Sequence, residues 1–450
     1  MLKLFLWLRY LRKKRIVLLS IAAVALSVSL LIIVASLFSG FINAFEQSAV
    51  ETIGDVVLLA PVKFAKYSQF IERLHQINAV DSATAAMSAQ GLLHLGKGNV
   101  RAVNVWGIEP ESRAKVTGLK QSLLKQKDSA GVPSFEVAGL PDKTGGFVGI
   151  GVLGEPDEKT DEYDIKAVEK MLGRPVVLTT GAMVEENNSS TDRQGGQFRR
   201  KTVEFTIADV VFTGVYDLDK KFVYLPIAYL QGVLYPDENE PVADQIQIKL
   251  KDGSRADSAA AQIRGLWQVF AAAELGWGEY HIRHTQIETA REMQSRYVAE
   301  LRKQMGVLLL IFGVVSFSVV VLIFCIFYMI VSLKQKDIAI LKSCGAASSS
   351  VACIFLGFGL CVGILGSGIG VLLGYIMTKN INTVEEWIRI IFGLKLWKSS
   401  VYMFSKIPNE VDWASALQIV MWAIMAAAIG TLIPAVVAAK VKPVEILRYE

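Results

Sequence analysis

The stretch Lys334–Ser349, KQKDIAILKSCGAASS, decides how this chain must be organised. It carries three lysines and Asp337, and it lies between two long apolar segments. Charged side chains are costly in the hydrocarbon core of a bilayer, so the chain must leave the membrane here. We predict a short polar helix that ends at Gly345 before the chain enters the membrane again. A partner outside the bilayer is expected to bind this element.

Composition points to a protein that lies partly in a bilayer and partly in water. Hydrophobic residues make up 52% of the 450 residues, too many for an ordinary soluble enzyme and too few for a wholly membrane-embedded chain. The net charge of +5 is modest, and the basic residues flank apolar segments, which indicates membrane topology and not nucleic-acid binding. All four cysteines (Cys325, Cys344, Cys353 and Cys361) lie in or near apolar segments, so the polar middle of the chain cannot form an internal disulfide.

Four segments are apolar and long enough to cross a bilayer as helices, which takes about 20 residues. They are residues 16–45, 304–333, 350–378 and 413–439. The first is longer than the roughly 7 to 15 apolar residues of a signal-peptide core, so we expect an uncleaved span. The third is rich in glycine, which favours close packing of helices.

Charge sets the expected topology. Residues 1–15 contain six basic residues and no acidic one, so the positive-inside rule places them in the cytoplasm. Four spans then place the turn 334–349 and the tail 440–450 in the cytoplasm and residues 46–303 and 379–412 outside. The loop 379–412 carries more basic residues than the turn, which is the reverse of what the rule favours. We give more weight to the N-terminal cluster and to the even number of spans.

Residues 46–303 predict an α+β domain between the first and second spans. Alternating apolar residues indicate strands at 55–59, 101–108, 174–179, 203–216 and 245–250. Helical periodicity appears at 70–78, 165–172 and 256–273, and again at 285–303, where a stalk helix would continue into the second span. Residues 185–201, EENNSSTDRQGGQFRRK, have no apolar period and predict a protruding hairpin or loop. A further amphipathic piece is expected at 387–396.

The motifs of an enzyme site are missing from the sequence. It has no Gly-x-x-x-x-Gly-Lys-Ser/Thr motif, so ATP, if used, must be hydrolysed by a separate chain. His281 and His284 are three residues apart, but no cysteine or third histidine nearby completes a metal site. No nucleophile, base and orienting group come together as a catalytic set. The spans are nearly free of ionisable residues, which disfavours a proton- or ion-coupled carrier.

The order of elements in this chain resembles that of the ABC permeases of the MacB/FtsX superfamily. In both, one span is followed by a large outer domain and three further spans, and the resemblance extends over the whole chain. Residues 336–346, KDIAILKSCGA, look like the coupling helix of that superfamily, and residues 442–450, KPVEILRYE, look like its C-terminal ending. A narrower resemblance, to the lipoprotein-releasing LolC/LolE family, rests on three further features. They are Gly40-Phe41, the segment 106–111 (WGIEPE), and the apolar residues 401–403 and 407–408.

The resemblance implies a non-catalytic subunit that works with several partners. A cytoplasmic ATPase dimer would hold ATP and Mg, with no cofactor on this chain, and a second permease would be identical to this chain or closely related. Lipoproteins would be extracted from the outer leaflet of a bacterial inner membrane and handed to a periplasmic chaperone. The residues expected to contact the ATPase are Lys336, Asp337, Ile338, Ala339, Ile340, Leu341, Lys342 and Gly345. Among them, we expect Ala339 and Ile340 to give the helix its shape and the charged residues to contact the partner.

Two further sets of residues follow from the same resemblance. Acyl chains need an apolar chamber, expected where the first span ends and the second begins. Its expected lining is Phe38, Phe41, Phe45, Met305, Leu308, Leu309 and Phe312. The loop 185–201 stands where the family has its chaperone-binding hook, although it is more polar than such a hook. Its expected contacts are Arg193, Gln197, Phe198 and Arg199.

Two other functions fit the same architecture. A MacB-like subunit would export drugs or peptides and would need an outer-membrane partner. An FtsX-like regulator would activate a cell-wall hydrolase and transport nothing.

Overall fold

A computed structural model describes residues 15–448 except 97, 138, 141–142, 158–159, 185–196, 237, 239, 394 and 405. The helices are α1 Arg15–Ile53, α2 Tyr67–Leu74, α3 Pro110–Val116, α4 Leu119–Ser122, α5 Ile150–Leu153, α6 Ile165–Glu169, α7 Tyr216–Lys221, α8 Ile227–Leu234, α9 Ala256–Ala273, α10 Glu279–His284, α11 Ala290–Leu333, α12 Gln335–Ser343, α13 Ser348–Lys379, α14 Ile381–Phe392, α15 Ser399–Tyr402, α16 Trp413–Lys440 and α17 Pro443–Arg448. The strands are β1 Val56–Phe64, β2 Val80–His94, β3 Val100–Ile108, β4 Gly145–Gly149, β5 Pro175–Val184, β6 Gln197–Val211, β7 Phe222–Pro226, β8 Ala243–Leu250 and β9 Gln286–Thr289.

The chain divides into two compact units, which we call the membrane unit and the sheet unit. The membrane unit comprises Met1–Ala44, Tyr297–Trp387 and Ile407–Glu450, and the sheet unit comprises Phe45–Arg296 and Ile388–Lys406. Within the described residues, α1, α11, α13 and α16 are long and apolar enough to cross a membrane. The predicted architecture, four such helices with an α+β domain between the first two, is confirmed.

Glycines on α13 allow neighbouring helices in the membrane unit to approach closely. Gly366, Gly370 and Gly374 recur every four residues and lie against α1, where a Cβ added at Gly370 would come within 2.8 Å of the Ala25 carbonyl oxygen. Gly359 and Gly363 lie against α16 in the same way, with Thr431 closest to Gly359. Small residues at this spacing bring helix backbones together, and packing in a bilayer depends on such contact because lipid is as apolar as the side chains.

Among the described residues, the sheet unit is built on nine strands in the order β3-β7-β4-β6-β5-β2-β8-β1-β9, with a further pairing between β2 and β3. That pairing closes six strands into a ring, because β2 contacts both β3 and β5. Two pairs, β3 with β7 and β4 with β6, are parallel, and the other pairs in the ring are antiparallel. β2 spans fifteen residues, so its first half also pairs with β8 and carries the open extension β8-β1-β9.

Two main cores follow from this topology. The ring encloses Met87, Leu178, Phe205 and Leu225 with other apolar residues. The open extension packs against α2 and α9 through Trp267, whose ring meets those of Phe64 and Phe70 edge-on at 5.0 and 5.1 Å between centroids. Edge-on contacts of this kind add to the stabilisation that comes from burial alone.

Several predicted boundaries differ from the structure. The stalk helix begins at Ala290 and not at 285, because Gln286–Thr289 forms β9 and pairs with Val56–Leu59 of β1. The predicted strand 203–216 ends at Val211. Residues 197–201 of the predicted loop belong to β6, whose pairing with β5 runs to Val184 opposite Gln197. The rest of the predicted loop is residues 185–196. These twelve fall outside the described residues. The amphipathic piece expected at 387–396 is the helix Ile381–Phe392.

The glycine contacts on α13 give the first prediction. Gly370→Ala should lower the stability of the detergent-purified protein by about 1–3 kcal/mol, because the new methyl group meets a backbone oxygen that cannot move aside. Gly368→Ala is the matched control, since an added Cβ there meets nothing within 4 Å. Thermal unfolding would measure both. Equal melting temperatures for the two variants would contradict the packing argument.

Candidate functional site

The polar turn between the second and third spans folds as helix α12, and its end is fixed by a Schellman motif. The amide of Gly345 donates to the carbonyl of Lys342 at 3.0 Å, and the amide of Ala346 donates to the carbonyl of Leu341 at 3.2 Å. Gly345 has a φ of +95°, which glycine adopts without strain. The turn therefore has a defined shape within this chain.

The apolar residues of α12 divide between two faces. Ile338 and Ala339 are buried in a cluster with residues from the ends of α11, α13 and α16. Ile340 and Leu341 are 53% and 41% exposed. Ala339 and Ile340 were expected together to give the helix its shape, but they face in different directions. The exposed pair forms an apolar surface on the side of the helix away from the bundle.

Lys342 makes contacts within this chain. Its ammonium donates to the carbonyls of Ala439 and Val441, at 2.8 Å in each case. These carbonyls lie at the end of α16, where backbone acceptors have lost their helical partners, and a lysine can satisfy them. Lys336 and Asp337 are exposed. The polar surface of α12 is therefore formed by Lys336 and Asp337, while Lys342 ties the helix to α16.

The C-terminal helix α17 lies beside α12. Ile446 packs against the cluster that buries Ile338 and Ala339, and Val441 belongs to that cluster. The two motifs on which the family resemblance was based, the turn and the C-terminal ending, thus form one structure. Their separation of about a hundred residues along the chain concealed this contact in the sequence.

A second candidate site, which we call the junction, lies where α1 leads into the sheet unit. α1 ends at Ile53, and Gly54 turns the chain with a φ of +83°. The next residue, Asp55, donates its amide to the carbonyl of Ile248 at 2.9 Å. Its carboxylate accepts the amide of Leu250 at 2.8 Å and lies 3.3 Å from the ammonium of Lys249. Asp55 thus fixes the end of α1 to strand β8.

The start of α11 is held at the same place. The amide of Ala290 donates to the carbonyl of Asp55 at 3.0 Å. Thr289 and Glu292 form a capping box, in which the Thr289 hydroxyl accepts the amide of Glu292 at 3.1 Å and the Glu292 carboxylate accepts the amide of Thr289 at 2.8 Å. Arg291 pairs with Glu46 of α1 at 3.1 Å. The two helices that continue into the membrane unit are therefore joined at the junction.

Arg113 of α3 supports the junction from inside the sheet unit. It is 2% exposed, and its guanidinium donates to the carbonyl of Thr52, in the last turn of α1, at 3.0 Å. The guanidinium carbon lies 4.4 Å from the ring centre of Trp106. Burial lowers the pKa of Arg113 to about 10, which leaves it charged at neutral pH. A buried cation over an aromatic ring gives the α1 terminus a favourable charge partner.

The connection between α13 and α16 docks onto the same unit. Asp161 accepts the amide of Ser399 at 2.7 Å and lies 4.0 Å from the ammonium of Lys395. The carbonyl of Met403 accepts the amide of Tyr216 at 2.8 Å. Residues 388–406 therefore pack on the domain between α1 and α11 as part of the sheet unit.

An apolar cavity of about 400 Å³ lies among α1, α11 and α16 in the membrane unit. Its lining includes Leu31, Phe317 and Trp422, and the hydroxyls of Ser27 and Ser316 are hydrogen-bonded at 2.8 Å beside it. The residues expected to line a chamber are not in this lining. Six of them are partly buried on α1 or α11, and Phe45 is buried and belongs to the sheet unit.

The residues expected to bind a chaperone are only partly described. Arg193 falls outside the described residues. Gln197, Phe198 and Arg199 form the beginning of β6, paired with the end of β5. These three contacts therefore stay predictions.

Comparison with known proteins gives the relationships of the chain. Residues 309–443 match the family model described as FtsX-like permease C-terminal. The LolE protein of the lipoprotein-releasing system of Haemophilus influenzae is 25% identical over 95% of this chain and 93% of its own. The LolC protein of Neisseria meningitidis serogroup B is 27% identical over 98% of each chain. Residues 309–443 are therefore similar to an FtsX-like permease domain, and the resemblance inferred from the motifs is confirmed.

Solved structures resemble the chain more remotely. The periplasmic region of MacB from Actinobacillus actinomycetemcomitans is 14% identical, with a TM-score of 0.32. The match covers 55% of this chain and 95% of the MacB region. The extracellular domain of the transporter YknZ from Gram-positive bacteria is 13% identical, with a TM-score of 0.30, and covers 52% and 98%.

The capping box at the junction gives the second prediction. Thr289→Ala should destabilise the first turn of α11 by about 1 kcal/mol, so hydrogen exchange of the amides at 290–293 should become about fivefold faster. Ser295→Ala, an exposed change one turn later, is the control and should leave these rates unchanged. If Thr289→Ala exchanged no faster than the control, the capping box would not hold the start of the helix.

Proposed function

Because the chain carries an FtsX-like permease domain and is similar over most of its length to lipoprotein-releasing LolC and LolE proteins, we propose that it is the membrane subunit of a bacterial ABC transporter. The complex extracts lipoproteins from the outer leaflet of the inner membrane with energy from a separate ATPase. The observation that carries this proposal is α12, a short capped helix between two spans that exposes Ile340 and Leu341.

The ATPase binds the exposed surface of α12. Ile340 and Leu341 supply the apolar centre of this contact, and Lys336 and Asp337 supply its polar rim. The rigid end at Gly345 and the tie from Lys342 to α16 favour movement of α12 as part of the bundle. Both termini and the turn lie in the cytoplasm, and the sheet unit lies outside the inner membrane.

Force reaches the sheet unit through α11. This helix is continuous over 44 residues from Ala290 to Leu333, and its first turn is capped by Thr289 and Glu292. Because Asp55 bonds both to the start of α11 and to strand β8, a displacement of the helix is passed to the sheet and to the end of α1. The lipoprotein itself need not cross the membrane.

The helix faces of α1 and α11 that line the apolar cavity extend further along both helices. Acyl chains of the substrate occupy these extended faces. Phe38 follows Leu31 by seven residues and so shares its face, and Leu309 precedes Ser316 by the same interval. The expected chamber residues Phe41, Met305, Leu308 and Phe312 lie along the same stretches. Each buried methylene contributes about 0.8 kcal/mol, so extraction of a lipid anchor needs an energy source.

The complex contains a second permease subunit, which is another copy of this chain or a close relative. ATP and Mg are bound by the ATPase partner. Arg193 and the first residues of β6, Gln197, Phe198 and Arg199, contact a periplasmic lipoprotein chaperone.

The coupling surface gives the third prediction. The double change Ile340→Asp and Leu341→Asp should reduce co-purification of the ATPase at least tenfold, because two charges replace the apolar centre of the contact. Ser349→Asp, an exposed change in the first turn of α13, is the control and should leave co-purification unchanged. Unchanged ATPase binding by the double variant, at normal membrane content, would exclude this surface as the coupling site.

The substrate chamber gives the fourth prediction. Phe41→Gln should reduce photo-crosslinking of the chain to an acylated lipoprotein that carries the probe on its acyl chain, because a polar side chain disfavours contact with methylene groups. Leu372→Gln, at a residue that is 58% exposed on α13, is the control. Crosslinking that is undiminished by Phe41→Gln would remove this residue from the chamber.

A further inference from the structure

Helix α14 exposes large apolar side chains on a helix outside the four spans. It has twelve residues, INTVEEWIRIIF, and begins two residues after Lys379, where α13 ends. Four of its apolar residues are between 66% and 71% exposed: Trp387, Ile390, Ile391 and Phe392. A helix that faces water normally shows the opposite pattern, with apolar residues inside and polar residues outside.

Three of the exposed residues share one face of α14, and Phe392 is the last residue of the helix. Trp387, Ile390 and Ile391 stand at positions i, i+3 and i+4, which places them together on a helix. Glu385 and Arg389, four residues apart, lie on another face and are partly buried. Glu386 is exposed and precedes Ile390 by four residues, so it lies at the edge of the apolar face. The helix therefore turns a mainly apolar face away from the protein. This arrangement suits a surrounding that is apolar on one side.

The start of α14 is fixed at the level of the membrane surface. Tyr375, near the end of α13, stacks on Trp413, the first residue of α16, with 5.8 Å between ring centres. The ammonium of Lys379 lies 5.7 Å from the centre of the Tyr375 ring. Tyrosine, tryptophan and lysine at the ends of spans mark the boundary between hydrocarbon and water.

Side-chain hydrogen bonds hold the first turn of α14 in this place. The side-chain nitrogen of Asn382 donates a hydrogen bond to the carbonyl of Ile407, and its side-chain oxygen accepts one from the backbone amide of Ile407. Both distances are 3.0 Å. The side chain of Asn409 donates to the carbonyl of Lys379 at 3.2 Å. The helix thus begins within the boundary region, and twelve residues extend only about 18 Å, too short a distance to cross a bilayer.

We propose that α14 is an interfacial helix whose face of Trp387, Ile390 and Ile391, with Phe392 at its end, inserts into the lipid headgroup region. The partner is therefore the lipid surface itself. Continuity with α13 favours lipid over a second protein, because the covalent link holds the apolar face where headgroups and acyl chains meet. This assignment does not depend on which substrate the complex carries.

The test uses the full-length protein in lipid nanodiscs, with the native cysteines replaced by serine. Ile390→Cys carries the fluorophore NBD, and Lys398→Cys, an exposed position in the same connection, carries it as the matched control. Ile390 is 71% exposed, so its substitution removes no core contact. The expected result at position 390 is blue-shifted emission that is lost when the lipids carry a nitroxide near the headgroup. Emission at position 398 should remain at the wavelength typical of water and be little affected.

Two results would overturn the proposal. One is emission at position 390 that resembles the control in wavelength and in response to nitroxide lipids. The other is blue-shifted emission that nitroxide lipids leave unchanged while Ile390→Cys forms a disulfide-linked dimer, since the face would then belong to an interface between two copies of this chain.

Discussion

The hydrogen bonds of Asp55 join three parts of the chain that are far apart in sequence. Its amide and its carboxylate bind strand β8, and its carbonyl accepts the first amide of α11. Asp55 itself follows the end of α1 by two residues. The sheet unit is thus connected to both long helices through one residue, and the pairing of β1 with β9 extends this connection along four residue pairs. The start of α11 is therefore restrained relative to the end of α1, because a displacement between them at this point would distort the ladder.

The membrane unit meets a different physical requirement, since the hydrophobic effect does not hold helices together within lipid. Close backbone contact replaces it, and glycines on two faces of α13 supply that contact toward α1 and α16. The other end of the bundle is fixed by Lys342, which satisfies carbonyls at the end of α16, and by the cluster around Ile338 and Ala339. α12 is therefore a rigid projection of the bundle. The proposed binding of a partner at Ile340 and Leu341 would therefore act on the bundle as a whole.

Local signals allowed much of this to be predicted, and long-range contacts account for the rest. The four spans follow from the spacing of charges, and the end of α12 follows from Gly345. The capping box Thr289-Ala290-Arg291-Glu292 is readable in the sequence, but helical periodicity from residue 285 concealed it. Strand β9 has only four residues, too few for a clear alternation, and pairing with β1 determines its form. Closure of the ring and the burial of Arg113 depend on neighbours that no local pattern reveals.

The connection between α13 and α16 has a charge count that opposes the predicted topology. Its five basic residues in 379–412 by number alone favour the cytoplasm. Lys395 is instead largely buried and lies beside Asp161 and the carbonyl of Thr160, while Lys379 lies against Tyr375. Residues 388–406 pack on the domain between α1 and α11. This packing favours the predicted topology over the local charge count, because it keeps the two segments together. With an even number of spans, the prediction then puts α12 and α17 together on the other side.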